Sequence, residues 1–155
     1  MNDNAIQSAG GGDFELVGVP TDLADRVGAV RLMRLALESV QAVEVPSSYF
    51  KASPDQPMFA VRALLTTWTY ALSRGVLDVE LLEARVESQP DLRYLMSDRP
   101  VDAYTLASFL ELNPGLVRHA LTRLMVAATG YSDLQVASAV ADRVDQAATG
   151  LQLAA

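Results

Sequence analysis

From residue 57 to about residue 148 the apolar residues recur at intervals of three and four, and Pro, Gly, Asp and Asn punctuate the runs. A period near 3.6 belongs to an α-helix with one buried face. A half-buried strand alternates with period two, and no such segment stands out in this stretch. The pattern therefore predicts an all-α fold, a bundle of six or seven helices.

The punctuation places the elements. Pro57 suits the first position of a helix, whose stripe is Phe59, Leu64, Leu65, Trp68 and Leu72 and whose stop is Gly75. Asp78 is the expected N-cap of a short helix with Val79, Leu82 and Val86 inward. Glu80, Glu83 and Glu87 then form a solvated face interleaved with Arg85, rather than a metal cluster. Pro90 and Pro100 bracket a segment containing Leu92, Tyr94 and Leu95. Asp102 caps a helix from Ala103 to Leu112, and Asn113-Pro114-Gly115 is a tight turn. Asn113 is expected to cap the next helix, Pro114 to about Ala128, which Gly130 closes. Ser132 with Gln135 is a capping box that opens a last helix to about Ala148. Along that helix Val136, Val140, Val144 and Ala148 form a narrow stripe, read either as a dimer seam or as packing within the domain.

Before residue 57 the signals are weaker. Residues 1–20 read as a flexible N-terminal segment with Gly10-Gly11-Gly12. Within it Phe14 to Val19 is a short apolar stretch, either extended or tucked onto the core. Residues 21–45 hold an N-terminal helix from about Asp22 to Val43. Thr21 is its expected N-cap, and Leu23, Val27, Val30, Leu37 and Val40 form its apolar face. Residues 46–56, bounded by Pro46, form a linker, and residues 57–150 form the main helical domain.

A chain of 155 residues supports one core. It has no cysteine, which excludes disulfides and thiolate catalysis, and one histidine, His119, which excludes multi-histidine metal sites. There is no nucleophile elbow, phosphate loop or zinc-protease motif. The expectation is a protein that is not an enzyme and carries no metal or cofactor. The longest apolar run, Met58 to Leu72, is shorter than the ~20 residues of a spanning helix and contains Arg62. With Asp3 in place of a positive leader, a cytoplasmic protein is expected. One lysine against eleven arginines, with abundant Ala, Val and Asp, fits a GC-rich bacterial genome.

The segment Thr105 to Leu124 is the most informative. Two short helices flank a three-residue turn, Ala107 is small where the helices would cross, and Leu110, Val117, Leu121 and Leu124 are placed to share a core. This is the pattern of a helix-turn-helix at 103–128, whose second helix reads the major groove. An α-hairpin inside a bundle has the same pattern. The net charge is −7, which opposes indiscriminate binding to phosphate. Yet residues 112–130 hold no acidic residue and carry Arg118 and Arg123 with His119. The expected DNA-contacting residues are therefore Asn113, Arg118, His119, Thr122 and Arg123, with double-stranded DNA as partner. So few cations call for a homodimer or a DNA-binding partner, since tight DNA binders make ~6–10 phosphate contacts.

A longer window carries a family resemblance. Pro57 precedes a leucine-rich helix, Ala63-Leu64-Leu65 through Trp68-Thr69-Tyr70-Ala71-Leu72-Ser73. Glu80-Leu81-Leu82-Glu83-Ala84-Arg85, Asp91-Leu92-Arg93-Tyr94-Leu95, and Pro100, Asp102, Thr105-Leu106 and Phe109 follow in order. In order and spacing, residues 49–125 resemble the N-terminal, non-catalytic domain of bacterial transposases of the InsH-like kind. The resemblance implies a helical domain that helps hold transposon DNA. Catalysis in that family belongs to a following domain, for which the thirty residues after Met125 leave no room, so a stand-alone relative acting as a transcriptional regulator is expected. The family places basic residues around its phenylalanine, whereas Ser108, Leu110 and Glu111 flank Phe109 here. That departure admits a second reading, an acidic protein-interaction adaptor in a transcription or mobile-element complex. A contiguous positive patch around Arg118 favours DNA, and an apolar groove rimmed by acids favours a protein partner.

Overall fold

The computed structural model describes residues 18–45 and 58–154. Among them lie eight helices: α1 (Ala24–Val27), α2 (Ala29–Gln41), α3 (Met58–Ser73), α4 (Val79–Ser88), α5 (Pro90–Leu95), α6 (Ala103–Leu112), α7 (Pro114–Thr129) and α8 (Asp133–Ala154). No strand occurs among the described residues, so the fold is an all-α bundle. None of these helices is long and apolar enough to cross a membrane. The linker expected at 46–56, most of the segment expected at 1–20, and Pro57 lie outside the described residues.

Two helices form the centre. Between Val61 and Ser73, α3 is buried at every position except Arg62 and Ala63. The apolar stripe is thus only part of its buried surface; the Thr67 hydroxyl is buried without a hydrogen-bond partner, while other polar side chains of the helix find partners within reach. The Thr66 and Thr69 hydroxyls donate to the carbonyls of Arg62 and Leu65, at 2.8 and 2.7 Å. The Trp68 indole N–H donates to the Leu106 carbonyl of α6 at 2.9 Å. Such bonding is what lets polar groups sit in a core. The second central helix, α7, packs against α2, α3 and α8 and touches α1 and α6. Its Val117, Ala120, Leu121, Leu124 and Met125 are fully buried, as is Leu110 of α6. The core positions expected for the α6–α7 hairpin are therefore occupied as read.

Several local signals act as the sequence indicates. Asp78 accepts from the amides of Glu80 and Leu81, and Asp102 from that of Thr105 at 2.8 Å. Ser132 and Gln135 form their reciprocal pair, at 2.9 and 3.2 Å. Gly130 ends α7 in the left-handed conformation, φ 78°.

Four readings change. The N-terminal helix is interrupted at Gly28, φ 87°, which splits it into α1 and α2 and resets the phase. Leu32, Ala36, Ser39 and Val40 become the buried face of α2, while Val30 is 70% exposed. Asp22, not Thr21, serves the start of α1, accepting from the Ala24 amide at 2.9 Å. Glu83 is not on a solvated face. Its carboxylate accepts from the Ala103 amide at 3.0 Å and so supports the first turn of α6. Finally, α8 continues past Ala148 to Ala154.

Arginines fasten the bundle. Arg26 donates to the carbonyls of Ala128 and Thr129 at the end of α7, at 3.2 and 3.1 Å. Arg62 donates to the Val40 carbonyl near the end of α2 at 3.2 Å. Arg143 of α8 donates to the carbonyls of Leu72 and Ser73, which end α3, and of Pro20. Burial lowers the Arg143 pKa, opposed by the nearby Asp22 charge. The last four carbonyls of a helix lack partners in their own helix and form the negative end of its dipole, which suits a cation.

Candidate functional site

The candidate residues all come from the hairpin α6–α7. Asn113 alone separates the two helices. Its backbone, φ −133° and ψ 43°, occupies the N-cap position of α7, but its side chain does not cap. The amide nitrogen turns back and donates to the Phe109 carbonyl of α6 at 3.0 Å. The expected cap is therefore absent, and Asn113 closes the preceding helix instead. Pro114 at the first position of α7 has no N–H that needs such a partner.

The other four residues come together. Since α7 turns its apolar side to α2, α3 and α8, positions three and four apart on the other side form one outward strip. Arg118, His119 and Arg123 are exposed on it, with Thr122 half-buried beside them. The Thr122 hydroxyl donates to the Arg118 carbonyl one turn back at 2.8 Å.

Acidic groups from other elements meet this strip. Arg118 pairs with Asp145 of α8 at 3.1 Å, both side chains well exposed at 48% and 62%. Between α2, α7 and the start of α8 runs a cleft of about 390 Å³, with Leu35 and Val126 as apolar lining. His119, Thr122 and Arg123 line one side, and Glu38 and Asp133 contribute carboxylates. Along the chain, residues 112–130 carry two arginines and no acid. In space, Asp145 pairs with Arg118, and Glu38 and Asp133 line the same cleft as Arg123, so the face is mixed rather than positive. The sequence hinted at Asp133, because the capping box starts α8 beside the end of α7. Nothing local to Glu38 or Leu35 pointed across the cleft.

The stripe considered as a dimer seam is used inside the chain. Val136, Val140, Val144, Ala147 and Leu151 are buried, and α8 packs on α7. Among the described residues no group of three or more His, Asp or Glu is placed to hold a metal ion.

One polar cluster lies elsewhere. Arg74 Nε donates to Asp22 at 2.8 Å, Arg74 Nη1 donates to the Tyr70 hydroxyl at 2.8 Å and lies 3.7 Å from the Asp91 carboxylate, and the Tyr70 hydroxyl donates to Asp91 at 2.5 Å. Burial and the bond to Asp91 push the Tyr70 phenol up to about 12. Burial alone would lower Arg74, but its bonds to Asp22 and Tyr70 raise it. A phenol held protonated between a carboxylate and a guanidinium is a joint between α3, α5 and the N-terminal segment. It is not an available base.

In comparisons with protein-family models, curated proteins and solved structures, nothing matches this chain.

Proposed function

We propose that the chain is a protein-interaction module that takes a segment of a partner protein along the cleft between α2 and α7. The observation that carries this reading is a cleft in which Arg123 shares the lining with Glu38, Asp133, Leu35 and Val126, beside the Arg118–Asp145 pair. Mixed charge over an apolar floor complements a peptide that carries an apolar residue between a basic and an acidic one. It complements a polyphosphate poorly, since each carboxylate near a phosphate costs affinity.

DNA binding is the second reading, favoured by the placement of Arg118, His119, Thr122 and Arg123 in one exposed strip. The exposed pair Arg118–Asp145 contributes no more than about 1 kcal/mol, so Arg118 is available to exchange partners. This reading requires a dimer, DNA affinity that falls steeply with salt, and loss of binding in Arg118→Ala with Arg123→Ala.

One experiment separates the two. The tagged full chain and its Glu38→Arg and Arg123→Glu variants are used to capture partners from cells of the source organism, with and without nuclease. A random-sequence DNA duplex is titrated in parallel. The interaction reading expects a protein retained by the unmodified chain despite nuclease, lost in both variants, and no saturable DNA binding below about 100 μM. Saturable DNA binding with a steep salt dependence, or retention unaffected by both variants, overturns it.

A further inference from the structure

A second surface lies away from the α2–α7 cleft and does not depend on the reading given to that cleft. Two hollows, of about 540 and 300 Å³, meet along α8 and share Leu77 and Gln146 as lining. One wall is formed by Leu134, Ser138, Asp142, Gln146 and Gly150, which are four apart on α8 and so make one ridge of that helix. The other wall is the chain between Gly75 and Glu80, which leads into the first turn of α4. We propose that this groove docks a segment of a partner protein that sets apolar residues among lysines and arginines.

Three observations support this occupant over others. The first is the floor. The wider hollow is lined mainly by apolar surface, with Val19, Leu77 and Ala139 half-buried in it. Leu134 stands at its end, 84% exposed, the most exposed large apolar side chain among the described residues. Covering such a surface removes it from water, which favours association. The second is charge. Asp78, Glu80 and Asp142 are exposed along the margins, and among the described residues no ion pair neutralises them. Arg143 is the one cation of the lining among the described residues, and its guanidinium is held by the carbonyls of Pro20, Leu72 and Ser73. An apolar floor with uncompensated carboxylates at its edge complements a basic and apolar segment, and it repels nucleic acid and anionic lipid. It also disfavours a second copy, because a two-fold dimer through this face would set the same three carboxylates against one another. The third is size. From Leu134 to Gly150 the groove is about 24 Å long, which a helix of about 16 residues spans. Ser138, Ala139, Ala147 and Gly150 are small enough for close approach, and a Cβ at Gly150 would meet nothing within 4 Å.

The probe is a library of random peptides, each of about 16 residues, displayed on phage and panned on the immobilised full chain. Enriched sequences are synthesised with a fluorescent label and titrated by anisotropy. They should carry lysine or arginine beside apolar residues three or four apart. Their affinity should fall by about tenfold or more in Leu134→Glu and in Asp142→Arg. It should stay unchanged in Glu38→Arg, which alters the α2–α7 cleft instead. Leu134 and Asp142 are both exposed, so neither groove variant disturbs the core, and unchanged circular dichroism confirms it. Panning that enriches nothing, or that enriches acidic peptides, overturns the proposal, as does affinity that both groove variants leave intact. Peptides lost only in Glu38→Arg belong to the α2–α7 cleft and overturn it too. A dimer of the chain itself, seen by sedimentation and abolished by Leu134→Glu, would assign the groove to a second copy and likewise overturn it.

Discussion

Arg26, Arg62 and Arg143 each direct a guanidinium at the carbonyl end of a helix other than their own. Arginine suits this because its planar fork reaches two acceptors at once and stays charged when half-buried. Each of these side chains is thereby spent on the fold and removed from the stock of cations available to phosphate. Tyr70 shows the same economy with a neutral group. Its folded pKa of about 12 stands above the ordinary value of 10. Between pH 10 and 12 the unfolded chain releases this proton and the folded chain keeps it, so stability falls as pH rises through that window. The expected loss is on the order of 2 kcal/mol, measured by urea unfolding at stepped pH. Tyr70→Phe should remove that slope while lowering stability at pH 7, because Arg74 and Asp91 lose a partner. An unchanged alkaline slope in the variant would assign the effect to another group.

At the level of elements, glycines at two positions give opposite predictions. Gly75 has φ 80°, and a Cβ there would lie 2.8 Å from the Thr21 carbonyl oxygen. Gly75→Ala should therefore cost about 2 kcal/mol or more, as the strain and the clash add. Gly150 lies inside α8 with open space where a Cβ would go, and Gly150→Ala should stabilise by about 0.5–1 kcal/mol. Thermal unfolding of both variants checks the contrast, and a stabilised Gly75→Ala would contradict the close packing of residue 21 on the turn. The boundaries that the sequence made legible were those set within one turn. Asp78, Asp102, Ser132 with Gln135, and Gly130 act on amides or carbonyls three or four residues away. The break at Gly28 is not legible in the sequence, because the apolar residues around it also fit an unbroken helix. The role of Asn113 is ambiguous in the sequence because the same side chain can serve the helix before it or the helix after it, and Phe109 offers the carbonyl. Within the candidate face, the strip of four residues on α7 followed from helical periodicity. The opposing acids did not, because Glu38 and Asp145 reach it through tertiary packing.

For the whole molecule, charge along the chain and charge in space differ. The first fifty residues carry three basic and seven acidic groups, which by sequence lie far from the hairpin, yet α2 brings Glu38 to its side. The fold also depends on ties between distant segments. Arg143 links α8 to residues 71 and 123 positions away, joining the end of α3 and the N-terminal segment in one cluster. Arg143→Met keeps the apolar stem and removes the charged donor from those carbonyls, although Leu72 and Ser73 keep the amides of Gly75 and Leu23, so it should lower stability by about 1.5–3 kcal/mol. Arg143→Lys should recover only part, because an ammonium cannot reproduce the fork. Urea midpoints for both variants test this, and equal loss in the two would show that the fork geometry is irrelevant. The single tryptophan adds a property of a different kind. Trp68 is sealed from water, and its indole N–H is bound to the backbone of α6. The molecule thus carries one indole, which excitation beyond the tyrosine band selects, at one defined seam. Its emission would move to longer wavelength when α6 lifts from α3 and water enters, even while helix content is nearly intact, so light from one residue can time the opening of that seam.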